Sequence, residues 1–425
     1  MSADDRARAP DPSASDASAS DAPAPGHGTP RAPQTPRGPQ THRGPQTHRG
    51  RVLTALAHRG PQPHRGPQPH RGPQTHRGPF SWNFGPTPEM ARVLTAYLAE
   101  QGLDWPVLRD AVDDIRLVAP RYTGPALPPR TDIWGIVRKP HTYGAGSYDE
   151  IAHYPLAGTA DPAALDDYPW PDPSAYDYAG LRAQVRCADP ERHRAVKLAI
   201  SACGNPFEIY CWMTGLEEAL TNLLLAPGVV HAALGHITDY FAATLTRALA
   251  DIADLVDILY FADDLGGQRG LLMSPRAYRA VLKPYHARLF GLGKRLAPHA
   301  AVMFHSDGAV FDILPDLIDA GIDVLEAVQT DAAGMDPARL KAAYGDRLAF
   351  HGGIPVQSLL PRADAETVYR ECLRLVEVFG AGGGYIAAPT HAIQVGTPPE
   401  NVLAMLRAVL GEADYAAALA YARRG

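Results

Sequence analysis

Residues 301–329, AVMFHSDGAVFDILPDLIDAGIDVLEAVQ, confine the chain to a small set of folds. A short apolar run, Ala301 to Phe304, meets a polar turn, and Val310, Ile313, Leu314, Leu317 and Ile318 then recur at helical spacing. A second apolar run, Val324 to Val328, follows a glycine, so the unit reads strand, helix, strand. Two strands joined through a helix are parallel neighbours. His305, Ser306 and Asp307 stand where the first strand ends, and Gln329 where the second ends. In an α/β barrel that edge carries the active site. A plainer role is open to Asp307 as well, since a carboxylate just ahead of a helix caps its free N–H groups.

The same alternation extends in both directions. Strands are predicted at Ala195–Ile200, Val256–Ala262, Leu348–Phe350 and Tyr385–Ala388. Helices are predicted at Thr214–Leu225, Gly228–Ala250, Pro275–Leu296, Pro337–Ala343, Ala365–Phe379 and Pro399–Gly411, after an earlier one from Thr87 to about Glu100. Repeated strand–helix order implies a parallel sheet with helices outside. With 425 residues, 45% of them hydrophobic, the chain can hold one barrel of about 250 residues or more plus extensions. The expected architecture is α/β, a single TIM-type (β/α)8 barrel. No G-x-G-x-x-G follows a strand, so the dinucleotide-binding fingerprint is missing.

The N-terminus is different in kind. Residues 1–50 are rich in Ala, Pro, Ser, Asp and Gly with hardly any large apolar residue, and such a composition cannot offset the entropy of ordering. A disordered extension is expected there. A hexamer, GPQ(T/P)HR, starts at Gly38, Gly44, Gly60, Gly66 and Gly72. Its histidines invite a metal reading, but a Pro and a Gly in every copy favour a solvated, polyproline-like segment. Between the copies lies RVLTALAH, Arg51–His58, a short amphipathic helix pattern, so residues 59–78 read as an expanded-repeat loop inserted into a barrel domain of residues 51–425. Such a loop costs little, because closure entropy rises slowly with length.

The net charge of −6 gives no reason to expect nucleic acid as a partner. Cys187, Cys203, Cys211 and Cys372 form no C-x-x-C pair, so neither a disulfide framework nor a thiolate zinc cage is indicated, and a reducing cytoplasm is the expected location. No run approaches the roughly 18 apolar residues of a membrane span.

Polar residues recur at equivalent places on the strands. Asp263 and Asp264 follow one, His305 and Asp307 the next, then Gln329, His351 and, through Pro389 and Thr390, His391. Five consecutive strands therefore deliver carboxylates, imidazoles or an amide to one rim. Residues 113–178 form a Pro- and Tyr-rich excursion with short strands at Ile115–Val118 and Ile133–Val137, suited to walling a pocket. Arg121, Asp132, Trp134, Arg138 and Tyr143 are its residues able to hold polar substrate groups.

These residues carry a resemblance. HSDG, LPDLIDAGIDVLEAVQ, MDPARLKAAYGDRLAFHGGI and GGGYIAAPTHAIQVGTPPENV resemble the uroporphyrinogen decarboxylase superfamily, which includes corrinoid-linked, zinc-dependent methyltransferases. FADDLGGQRGLLMSPRAYR, DIWG and YPWPDP fit a less-characterised branch of it. The resemblance implies a single barrel. The decarboxylases share an R-Q-A-G-R-Y segment whose arginines hold substrate carboxylates, and here PFSWNFG stands in that region. The methyltransferases hold zinc with H-x-C and a distant Cys. His305 matches that His, Asp307 stands at the first Cys, and His391 falls about where the second would be. By this resemblance His305, Asp307 and His391 hold zinc or another divalent metal, and Asp264 and His305 are catalytic. Asp263, Gln268, Gln329, His351, Arg138 and Tyr143 contact a small-molecule substrate, and a corrinoid on a partner protein supplies the methyl group. Two rivals stand beside this: a carboxy-lyase of the decarboxylase type acting on a porphyrinogen or another carboxylated substrate, and a non-catalytic barrel that binds a small ligand.

Overall fold

Strands enclosed by helices must be apolar on both faces, and from β2 onward every barrel strand is buried at each residue. The structure, a computed structural model, describes residues 47–57, 77–143 and 146–423. Its main sheet is parallel and keeps sequence order: β1 (Ile115–Val118), β2 (Ala195–Leu198), β3 (Ile258–Ala262), β4 (Ala301–His305), β5 (Val324–Ala327), β6 (Ala349–Ile354) and β7 (Tyr385–Pro389). The eighth place is taken by the start of PFSWNFG. Ser81 N donates to Ala387 O at 3.0 Å and Ala387 N to Pro79 O at 3.0 Å, while Asp114 N, at the foot of β1, donates to Phe80 O at 2.9 Å. The sheet thereby closes on itself as a TIM-type barrel. Among the described residues, no single helix is long and apolar enough to cross a membrane.

The predicted short helix is present as α1 (His48–Ala57), beginning three residues before Arg51. Val52, Ala55 and Leu56 pack against Ile115, Ala195, Ile258, Ala301, Val324 and Ala349, the first residues of β1 to β6. α1 therefore seals the N-terminal end of the barrel and leaves the other end as the opening. Its anchor is Asp114, a fully buried carboxylate that accepts from His48, from Arg51 at 2.6 Å, from Arg77 at 2.8 Å and from Phe80 N at 2.8 Å. Arg49 adds a forked pair to Asp257, with contacts of 2.8 to 3.2 Å. His48 and Arg49 end one repeat copy and Arg77 ends another, so copies on both sides of the repeat loop are tied to the barrel floor. The expectation of disorder over residues 1–50 is thus corrected for residues 48–50; residues 1–46 and 58–76 lie outside the described residues.

Further boundaries differ from expectation: the strand expected at Ala195–Ile200 stops at Leu198, and Ile200 opens a short helix, Ile200–Cys203. Residues 133–136 are a turn rather than a strand, because Asp132 Oδ1 accepts from Trp134 N at 2.9 Å and Ile136 N at 3.1 Å and folds the chain back. The strand starts at Val137 and pairs antiparallel with Gly146–His153. β6 does not stop at Phe350 but runs through Gly352 and Gly353, which places His351 inside the strand. Gly352 has φ +127°, and a Cβ there would sit 2.0 Å from Ala327 O, so only glycine lets β5 and β6 approach this closely.

Candidate active site

A cavity of about 440 Å³ opens at the C-terminal ends of the strands. Three strands hand its floor a polar group: Asp264 just past β3, His305 as the last residue of β4, and His391 two residues past β7. Its walls are aromatic, with Trp134 from the excursion, Trp212 and Tyr240 from the following helices, and Phe84 from the segment that closes the barrel. Among the residues lining it, none is Lys or Arg.

His305 is the centre of the floor. Its Nδ1 lies 2.7 Å from Glu326 Oε2, an oxygen that also accepts from Tyr260 Oη at 2.9 Å, while Asn83 donates to the other oxygen. Its Nε2 faces Asp264 Oδ1 at 3.5 Å and Asp307 Oδ1 at 3.9 Å. Asp307 N in turn donates to Asp264 Oδ1 at 2.8 Å. Asp307 Oδ1 is buried and has no hydrogen-bond partner, so the residue is not the simple helix cap that its position also allowed.

The electrostatics follow from this packing. Burial works against a charged imidazole at His305, yet the charge of Glu326 and the bonds to Asp264 and Glu326 outweigh it and raise its pKa well above the ordinary value. Burial likewise pushes Glu326 upward, but His305, His351 and Lys197 hold it down to about 2. Asp264 follows the same pattern, its burial overcome by His305 and Asp307 N, and is held below the usual carboxylate range. At Asp307 burial outweighs the opposing charge of His305 and, with the neighbouring carboxylates, lifts it to about 6. Burial also lifts Glu208 on the cavity wall, with help from Asp264, to about 7.

The remaining expected site residues divide. His391 lies beside the cluster, its ring centroid 6.4 Å from that of His305 and stacked on Phe84 at 4.6 Å; burial lowers its pKa. The compact group is instead Asp264, His305 and Asp307, which offer ligand atoms all within 4.8 Å of one another. Asp263 turns away from the cavity. Its fully buried carboxylate accepts from Phe207 N at 3.1 Å and Glu208 N at 2.6 Å, capping the helix Pro206–Thr214, and meets His286 Nε2 at 2.7 Å. His351 is enclosed in the barrel, 3.9 Å from Glu326 Oε1, with neither ring nitrogen hydrogen-bonded and its pKa pushed by burial to about 3. Gln329 accepts from Gly308 N at 2.9 Å and meets Gln268 Nε2 at 3.4 Å, so the two amides brace the loop after β4. Arg138 is paired with Asp132 at 2.5 Å, and Tyr143 ends the hairpin strand opposite Gly146.

Sequence reasoning missed Glu326, Glu208 and Lys197. For Glu326 and Lys197 a signal existed: each is a charge inside an otherwise apolar strand, VLEA and AVKL, and buried charge demands a partner. Lys197 sits 4.3 Å over the Tyr260 ring.

The sequence model for Uroporphyrinogen decarboxylase (URO-D) matches residues 151–411. The chain belongs to the uroporphyrinogen decarboxylase family. Uroporphyrinogen decarboxylase from Coxiella burnetii is 25% identical over 247 residues, 55% of this chain and 62% of the relative. That from Methylibium petroleiphilum is 26% identical over 280 residues, 63% of this chain and 71% of the relative. The chain thus spans about three fifths of the length of the Coxiella relative. Among solved structures, a methyltransferase from Methanosarcina mazei superposes with a TM-score of 0.57 at 16% identity, covering 85% of this chain and 98% of that one. That likeness speaks for the barrel fold alone.

Proposed function

We propose that this member of the uroporphyrinogen decarboxylase family is a metal-dependent enzyme of the methyl-transfer type, acting on a small substrate in the rim cavity. The observation that carries the reading is Asp307 Oδ1, a buried carboxylate oxygen without a hydrogen-bond partner, 3.9 Å from His305 Nε2. A buried carboxylate is rarely left this way unless a cation completes it. The donor set fits. Two carboxylates and one imidazole converge within 4.8 Å, and ligands at about 2.0–2.2 Å from a divalent ion stand about 3–4 Å apart. With no thiolate the set is harder than a Cys-based zinc site, so manganese or iron competes with zinc.

In this reading Asp264, His305 and Asp307 hold the metal, and His391 stands at the edge of the same pocket. A divalent ion bound there supplies Lewis acidity that lowers the pKa of an acceptor such as a thiol. The protein's own part is positional. Glu326 fixes which imidazole nitrogen of His305 faces the cavity, as a carboxylate behind a metal-binding histidine does. Asp307 N orients Asp264, and the aromatic walls keep water from the acceptor. A polycarboxylate such as uroporphyrinogen needs several positioned cations, and this wall presents no Lys or Arg, Arg138 being held by Asp132. The methyl donor consistent with this reading is a methylated corrinoid, presented by a partner protein.

The test is loss of methylcobalamin, used as a surrogate donor, to a small thiol in metal-loaded protein. Loss clearly faster than with His305→Ala is expected. Equal rates for the two proteins would sink the methyl-transfer reading.

A further inference from the structure

Glu208 is the unexplained residue of the cavity. It lines the wall, yet the hydrogen-bond partner of its carboxyl group is a neutral amide, Asn205 Nδ2 at 2.9 Å, and among the described residues no ion pair reaches it. Every other carboxylate of the cavity has a basic group near it: Asp132 has Arg138 at 2.5 Å, and Asp264 has His305 at 3.5 Å. A partly buried carboxylate wants a counter-charge; no Lys or Arg lines the cavity, and His305, the basic group on its floor, is engaged by Glu326 and Asp264.

The rings that line the same cavity are the second observation. Trp134 meets Tyr240 edge-on at 4.9 Å and Phe241 at 5.8 Å, and Trp212 joins them on the wall. The phenols are uncharged: Tyr240 donates to Tyr176 Oη at 3.3 Å, and burial raises the pKa of both. Trp212 already has a cation against its face, with Arg138 Cζ 5.3 Å from the ring centroid. Aromatic rings that share a cavity with a carboxyl group lacking an ion pair are the surroundings that bind alkylated ammonium groups, which are too weakly hydrated to need water and too bulky for a simple ion pair. The volume, about 440 Å³, lies at the small end of the range of about 300–1,000 Å³ typical of small-molecule sites. Three carboxylates, Asp264, Asp307 and Glu326, surround His305 on the floor of the same cavity.

We infer that the cavity takes a small organic cation with a methylated ammonium group, held by Glu208 and the faces of Trp134 and Trp212. The inference rests on the rim cavity being the substrate pocket and names the class of substrate that it admits.

Calorimetric titration of the full-length protein with choline, and with its uncharged carbon isostere 3,3-dimethylbutan-1-ol, tests it. Choline is expected to bind at least about tenfold more tightly than the alcohol. Glu208→Gln, which keeps the shape of the side chain, is expected to remove most of that preference. Equal affinity for the two ligands, or binding of neither, overturns the assignment on the unmodified chain, even if the variant does not fold. A folded Glu208→Gln protein with an undiminished preference overturns it too. The titrations are run on chelator-treated and metal-loaded protein with metal content measured separately. Choline preference in protein that holds no metal then counts against the metal reading alone, and metal retention without choline preference counts against the substrate class alone.

Discussion

Replacing Glu326 by Gln probes the floor of the site at its hinge. The side chain is fully buried and accepts from His305 Nδ1 at 2.7 Å, from Tyr260 Oη at 2.9 Å and from Asn83. Gln has the same shape but one acceptor oxygen in place of two, so one of the three donors loses its partner, and the imidazole loses the charge that orients it. Loss of such a carboxylate behind a metal-binding histidine costs about 10–100-fold in metal affinity, or about 1.4–2.7 kcal/mol. Folding stability should fall as well. An unsatisfied buried donor costs about 1–3 kcal/mol, while Lys197, whose pKa burial already lowers, can shed its proton rather than stay charged and unpaired. The assay is chelator competition for the bound metal, paired with urea unfolding of the same samples. A Glu326→Gln protein that folds and holds metal as tightly as the parent would refute the orienting role.

Other outcomes follow from the same contacts. Asp114→Ala leaves Arg51 and Arg77 without their buried counter-charge and should cost about 3–5 kcal/mol in urea unfolding; a loss below about 1 kcal/mol would show that α1 is held by its apolar face alone. Burial raises the pKa of Asp114, but His48, Arg77 and Arg51 outweigh it and hold it below the ordinary value. The stability it contributes is therefore complete above about pH 4 and lost as pH falls through the depressed folded value, and Asp114→Ala should lack that part of the acid sensitivity. Removing residues 1–46 should leave stability within about 0.5 kcal/mol, whereas removal through Ala57 exposes the barrel floor, and Val52 and Leu56 alone represent about 1.5–3 kcal/mol each. Thermal unfolding of the two truncations separates them, and equal stability would contradict the sealing role of α1. Asp307→Asn should weaken metal binding by at least about tenfold while leaving the fold intact, as read by metal titration and circular dichroism; undiminished binding would remove Asp307 from the ligand set.

The barrel was legible because its inner and outer layers have different periods: apolar runs at 301–304 and 324–328 flank a helical stripe, and β4 and β5 lie where those runs predict. The closing stave, Pro79–Ser81, is shorter than the other strands and joins the ring through two backbone bonds to Ala387 and one to Asp114. Rim residues were readable by position, but facing was not. Asp263 and Asp264 are neighbours at a strand end, and alternation sends neighbours to opposite sides: one caps a helix inside the protein, the other meets the cavity. The same alternation, applied to β6 at its full length, would have warned that His351 belongs to the interior. Glu208 gave no signal, because its meaning depends on rings brought from Trp134 and Tyr240, far away in sequence.

The claim that Asp264, His305 and Asp307 form a metal centre is tested most directly by elemental analysis of the protein after reconstitution with zinc, manganese or iron and removal of loose ions. The expected result is about one tightly held divalent metal per chain, lost in His305→Ala and weakened in Asp307→Asn. A parent protein that folds yet retains none of the three metals, or a His305→Ala variant that retains as much as the parent, would contradict it.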